Sequence, residues 1–114
     1  MISHVVLFKP RVTLGPAERT AIVDHLKAAI AQCPTVTGCR VGRRVQHGLP
    51  GYEQQMVEDY QYSLTLDFDD VEGLVAYLRN PAHASIGGLF TSAASASLAY
   101  DYEVVDLEDA AQLL

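Results

Sequence analysis

The stretch Tyr60-Gln61-Tyr62-Ser63-Leu64-Thr65-Leu66-Asp67-Phe68, continued by Asp69-Asp70-Val71-Glu72-Gly73-Leu74-Val75-Ala76-Tyr77-Leu78-Arg79-Asn80-Pro81, decides the fold. In its first half Tyr60, Tyr62, Leu64, Leu66 and Phe68 alternate with Gln61, Ser63, Thr65 and Asp67, the two-residue period of a strand with one buried face. In its second half the period lengthens. Val71, Leu74, Val75 and Leu78 recur at three and four, which is a helical stripe. Asp69 is placed as N-cap with Glu72 at the third helical position. Asn80-Pro81 ends the helix, because a residue before proline avoids the helical region.

Toward the C-terminus, a second helical piece is predicted from Pro81 to about Thr91, with Gly87 and Gly88 as its weak middle. Ser95 to Val105 reads as a strand, with Ala96, Leu98, Tyr100, Tyr102 and Val104 on one face. Leu107 to Leu114 is an acidic-started tail that forms a short helix or frays. Toward the N-terminus, Gln46 to Asp59 has no sustained period and carries Gly48, Pro50 and Gly51, so it reads as a long loop. Val36 to Val45 is predicted as a strand, weakened by Gly38 and Gly42. Ile22, Val23, Leu26, Ile30 and Cys33 mark a helix that starts behind Gly15-Pro16 and stops at Pro34. Ile2 to Lys9 is a β-branched and aromatic run, closed by Pro10. Its two faces, Ile2, His4, Val6 and Phe8 against Val5 and Leu7, are both largely apolar and both need cover.

The order is strand, helix, strand, strand, helix, strand. It predicts an α+β, ferredoxin-like βαββαβ fold: a four-stranded antiparallel sheet with both helices on one face. Residues 1–114 are read as a single domain, with a core over 1–105 and a tail over 106–114. The bare sheet face has nothing left in the chain to cover it. A second copy packed face to face, a homodimeric α/β barrel, removes that apolar surface from water.

Hydrophobic residues are 49% of the chain, enough for a core. Eight Lys and Arg against fourteen Asp and Glu give a net charge of -6, which argues against nucleic acid and against anionic membrane surfaces. Cys33 and Cys39 form no Cys-x-x-Cys pair and read as reduced structural thiols. No apolar run reaches the ~20 residues of a membrane span, and the N-terminus lacks the basic start of a signal peptide. A cytoplasmic location is expected.

Two motifs resemble a known family. Ile2-Ser3-His4-Val5-Val6-Leu7-Phe8-Lys9 is similar to the opening strand of stress-responsive A/B barrel (Dabb) domains. Tyr77-Leu78-Arg79-Asn80-Pro81-Ala82-His83 is similar to that family's tyrosine followed by Pro-x-His. The resemblance runs from Met1 to Val105 and implies a dimeric α+β barrel. One plant member is a polyketide cyclase that uses no metal or cofactor, with its pocket between sheet and helices. By match of motif, His83 is implied as general acid or base, His4 as the group that positions or polarises a substrate oxygen, and Tyr77 as a hydrogen-bond donor. Where the cyclase carries a further histidine on the third strand, this chain has Tyr62, a weak base at neutral pH.

The chemistry so implied is feasible for these residue types. A histidine pair can remove and return a proton near neutral pH without a cofactor, and a tyrosine hydroxyl can hold a developing enolate. The expected ligand is a small, largely apolar organic molecule with a polar oxygen, contacted also by Tyr62, Phe8 and Leu89. No cofactor and no metal site are expected, since no local ligand spacing exists. Each residue also has a plain structural reading: His4 as a satisfied core histidine, His83 bonded to backbone, and Tyr60, Tyr62, Tyr100 and Tyr102 as packing. Arg40 and Arg44 either hold an anion or protect a sheet edge. Three functions stay open: a proton-transfer enzyme of cyclase type, a noncatalytic stress or structural dimer or larger assembly, and a cofactor-free monooxygenase-like barrel enzyme.

Overall fold

The computed structural model describes all residues, Met1–Leu114. Strand β1 is Ile2–Pro10, helix α1 Pro16–Ala31, strand β2 Val36–Arg43, strand β3 Tyr62–Phe68, helix α2 Val71–Arg79, helix α3 Pro81–Ala93 and strand β4 Ala94–Glu103. The strands form one antiparallel sheet in the order β2-β3-β1-β4. This is the α+β, ferredoxin-like arrangement that the alternating periods predict.

The register sorts the side chains. His4 lies opposite Leu66 and Asp101, Val6 opposite Leu64 and Ala99, and Phe8 opposite Tyr62 and Ser97. These residues share the inner, helix-covered face. Leu26, Ala29, Cys33, Leu64, Leu66, Phe68, Leu74, Tyr77 and Ile86 pack there as the main core. Phe8, Leu14 and Ala93 form a smaller one, where the Phe8 ring meets Phe90 edge-on at 5.1 Å.

The outer face has no such cover. Leu98, Tyr100 and Tyr102 pair with Leu7, Val5 and Ser3 on that face, and all three are exposed, Tyr100 to 56%. Only 16 of 114 residues are buried. Both follow from having one layer of helices against one layer of sheet.

Several boundaries differ from the sequence reading. The N-cap of α2 is Asp70, not Asp69: its carboxylate accepts from Gly73 N at 2.8 Å. That places Glu72 at the second helical position and leaves the third to a glycine. β3 begins at Tyr62, so Tyr60 lies outside the sheet, and β2 stops at Arg43. Just beyond it Arg44 N still bonds the Gln61 carbonyl, and its side chain bonds Asp59 and the Glu53 carbonyl. α3 passes through Gly87 and Gly88 and runs to Ala93, where it meets β4 without a loop. Asn80 both ends α2 and caps α3, its side chain accepting from Ala82 N at 2.9 Å. The loop over 46–59 holds one 3-10 turn, Glu53–Gln55, and positive φ at Gly48 and Gly51 gives it the turns that a side chain would strain. The tail forms a 3-10 turn over Leu107–Leu113.

Candidate ligand site

Two features occupy the inner face at opposite ends of β1. The first is an apolar cavity of about 290 Å³ between the sheet and helices α1 and α3. Phe8, Leu14, Leu26 and Leu64 make its buried floor, and the exposed Arg19, Val23 and Val41 stand at its rim with half-buried Tyr62. The α1 residues come from one stripe, Arg19, Ile22, Val23 and Leu26, at the three- and four-residue steps of a helix face. Arg19 donates to the Tyr62 hydroxyl at 3.3 Å, and its guanidinium lies 6.0 Å from the Tyr62 ring.

The second feature is a stack of ionisable rings. Tyr77 is 2% exposed because α2 buries Gly73, Leu74 and Tyr77 rather than the stripe through Val71, which is exposed, and Tyr77 packs on Phe68, 5.6 Å between ring centres. His4 contacts its ring at 6.0 Å and His83 at 4.8 Å. His4 is buried, and its Nδ1 lies 2.6 Å from Asp101 Oδ1. A carboxylate only accepts, so Nδ1 carries the proton and Nε2 is left free to take one. Asp101 itself is 42% exposed on its side chain.

His83 is half-buried in the first turn of α3. Burial pushes its pKa down, nearby His4 adds to that, and a hydrogen bond to the Leu78 carbonyl opposes it. The balance favours a neutral imidazole that can accept a proton. Burial pushes the Tyr77 hydroxyl up to about 12, with the Cys33 and Cys39 thiols adding to the shift. Tyr77 therefore stays a protonated donor. It presents its ring to the histidines and hydrogen-bonds to neither.

The structure thus places His4, Tyr77 and His83 together, and Phe8 and Tyr62 together, but does not join the two sets. None of His4, Tyr77, His83 or Leu89 lines the cavity. Leu89 packs against the main core. Val6 lines the cavity and stands one inward position from His4, about 7 Å along the strand. His47 contacts Glu53 in the loop at 2.8 Å, and His25 bonds the Ala21 carbonyl. Arg40 faces outward near Asp67, so Arg40 and Arg44 do not form one anion site.

Two residues escaped the sequence reading. Asp101 sits between Tyr100 and Tyr102, and the strand's alternation alone turns it inward. Its pairing with His4 needed the β1–β4 register. Arg19 lies on the α1 stripe one turn before Ile22. It was passed over because an arginine does not extend an apolar pattern.

No curated protein shows significant sequence similarity to the chain. Among solved structures it is similar to a hydroxynitrile lyase from Passiflora edulis, with 11% identity, a TM-score of 0.78, and coverage of 92% of this chain and 94% of that one. It is also similar to a dimeric ferredoxin-like protein of unknown function from Jannaschia, with 24% identity, a TM-score of 0.72, and coverage of 90% and 98%. A Dabb family protein with a ferredoxin-like fold from Mesorhizobium loti matches at 18% identity, a TM-score of 0.70, and coverage of 92% and 97%. At these identities the likeness concerns the fold. The sequence itself matches the family described as Stress responsive A/B Barrel Domain over residues 2–104. With His4 on its first strand and His83 after its second helix, the chain belongs to the Dabb family.

Proposed function

We propose that the protein is a homodimer that takes up a small, largely apolar organic molecule in the cavity over Phe8 and Leu64, and transfers a proton on it with His4 and His83, without a cofactor. The observation that carries this reading is the oriented pair at the far end of β1. Asp101 fixes the tautomer of a buried histidine at 2.6 Å, and a second, half-buried histidine shares the same tyrosine ring. Neutral His83 takes a proton from carbon beside a carbonyl, the electron pair moves to the carbonyl oxygen, the Tyr77 hydroxyl donates to that oxygen, and the free Nε2 of His4 is a second acceptor for the proton. The dimer reading rests on the exposed Leu98, Tyr100 and Tyr102 face and on the dimeric Jannaschia neighbour. No helix is long and apolar enough to cross a membrane. The free Cys33 and Cys39 fit a reducing, cytoplasmic setting.

The test is solvent deuterium exchange into β-diketone and aryl ketone probes, followed by NMR on the metal-free protein. His83→Ala should slow exchange by roughly 10²–10⁴-fold while probe-induced shifts of cavity residues persist. A second reading, binding without chemistry, is favoured by the separation of the histidines from the cavity. Cavity shifts with no accelerated exchange would establish it. No shifts at all would overturn both.

A further inference from the structure

We infer that the ligand is an amphipathic anion, its apolar body in the cavity and its negative group held at the rim by Arg19 and Arg43; this rests on the reading of the cavity as a ligand site. Two inward-facing rows converge on Tyr62, and both end in arginine. On α1 the row is Leu26, Val23, Ile22, Arg19. On β2 it is Cys39, Val41, Arg43, with Arg43 directly opposite Tyr62 in the register. Both positions continue an apolar stripe, where an alkyl side chain would lengthen the cavity wall.

The charges there have no carboxylate partner. The chain has eight Lys and Arg and fourteen Asp and Glu. Lys9, Arg11, Arg40 and Arg44 each pair with a carboxylate. Arg19, Lys27, Arg43 and Arg79 do not, although acidic groups are in excess; of these four, Arg19 lines the cavity and Arg43 stands opposite Tyr62 in the register, and Arg19 has only the Tyr62 hydroxyl and ring. Guanidinium groups suit a carboxylate, a sulfonate or a phosphate, because they bind two oxygens in one plane. Arg43 lies just outside the cavity lining, opposite Tyr62 in the register, and the Tyr62 hydroxyl, which accepts from Arg19, can donate to the same group. A volume near 290 Å³ holds about ten groups of water or methylene size at ~30 Å³ each. That is a medium-length alkyl or single-ring acid. The charged group then lies at the end away from His4 and His83, which leaves the reacting carbon free.

Calorimetric titration with octanoate, octanamide and acetate tests this in the wild type and in R19Q/R43Q, with circular dichroism to check the fold. Octanoate should bind roughly tenfold or more tightly than octanamide, the scale of one charge-assisted hydrogen bond. Acetate should bind too weakly to measure. The double variant should lose the octanoate advantage and keep octanamide affinity. Equal binding of octanoate and octanamide by the wild type overturns the anion inference and leaves the cavity reading standing. So does an advantage that survives in the double variant. Acetate binding as tight as octanoate reduces the rim to a surface anion site and overturns it too. No binding of either long probe overturns the cavity reading itself.

Discussion

At the Phe8 end of β1 the space under the helices is open, apolar and rimmed by arginine. At the His4 end, four residues away, it is filled by the packed rings of His4, Tyr77 and His83. The two ends share a strand, a sheet face and the same covering layer. The difference comes from what the helices deliver. α1 brings Ile22, Val23 and Leu26 over Phe8 and leaves room. α2 brings Tyr77 over His4 and leaves none. In the proposed function, holding a molecule and moving its proton would fall to neighbouring but separately packed regions, and each can be perturbed without the other.

The largest expected effect is at the filled end. Tyr77→Ala removes a fully buried ring from between Phe68, His4 and His83 and should cost about 3–5 kcal/mol in chemical denaturation. Tyr62→Ala, at the half-buried rim, should cost about 1 kcal/mol. Equal costs would break the contrast. Next, Ile22→Phe places added volume in existing space, so it should change stability by no more than about 1 kcal/mol while abolishing octanamide binding in the same titration. If binding survives, the cavity is not where the probe sits. Asp101→Asn keeps the shape and a hydrogen bond to His4 but removes the charge. It should cost about 1 kcal/mol of stability and slow deuterium exchange by much more than that loss of fold accounts for. Exchange at the wild-type rate would leave Asp101 a structural partner only.

The smallest effect is in pH. His83 has a folded pKa below its ordinary 6.5, so between those two values the unfolded chain binds more protons than the folded one. Its contribution is complete above 6.5 and is lost as pH falls through the lowered folded value. Denaturation midpoints of wild type and His83→Gln should converge as pH falls through that window. Midpoints that run parallel would show that His83 is not desolvated in the folded protein.

The fold was legible because two periods meet cleanly at Phe68. Leu64, Leu66 and Phe68 are the buried row that their alternation predicts, and Asn80-Pro81 breaks the helix where the chain turns into α3. The motif residues His4, Tyr77 and His83 do come together. Exact ends were less legible, since a side-chain hydrogen bond chooses Asp70 over Asp69, and β2 ends at Arg43 although Arg44 N still bonds the Gln61 carbonyl. The split between cavity and ring stack was hidden because it depends on how far each helix sits from the strand beneath it. Periodicity tells which residues face inward, not how much volume they leave. Asp101 and Arg19 were hidden for a related reason: a polar residue on an inward row breaks the pattern used to find the row.

Strand β4 carries one more consequence. Asp101 turns toward His4, while its neighbours Tyr100 and Tyr102 turn to the opposite face. Beyond the register shift at Lys9/Pro10, which already takes up one extra residue, inserting or deleting one residue between Ala96 and Tyr100 would exchange these directions together, taking the carboxylate from the histidine and the tyrosines from the surface at one stroke. Point substitutions can alter either side alone, but changes in length cannot. Divergence within this strand should therefore proceed by replacement at constant length, and insertions should accumulate elsewhere, above all between Gln46 and Asp59.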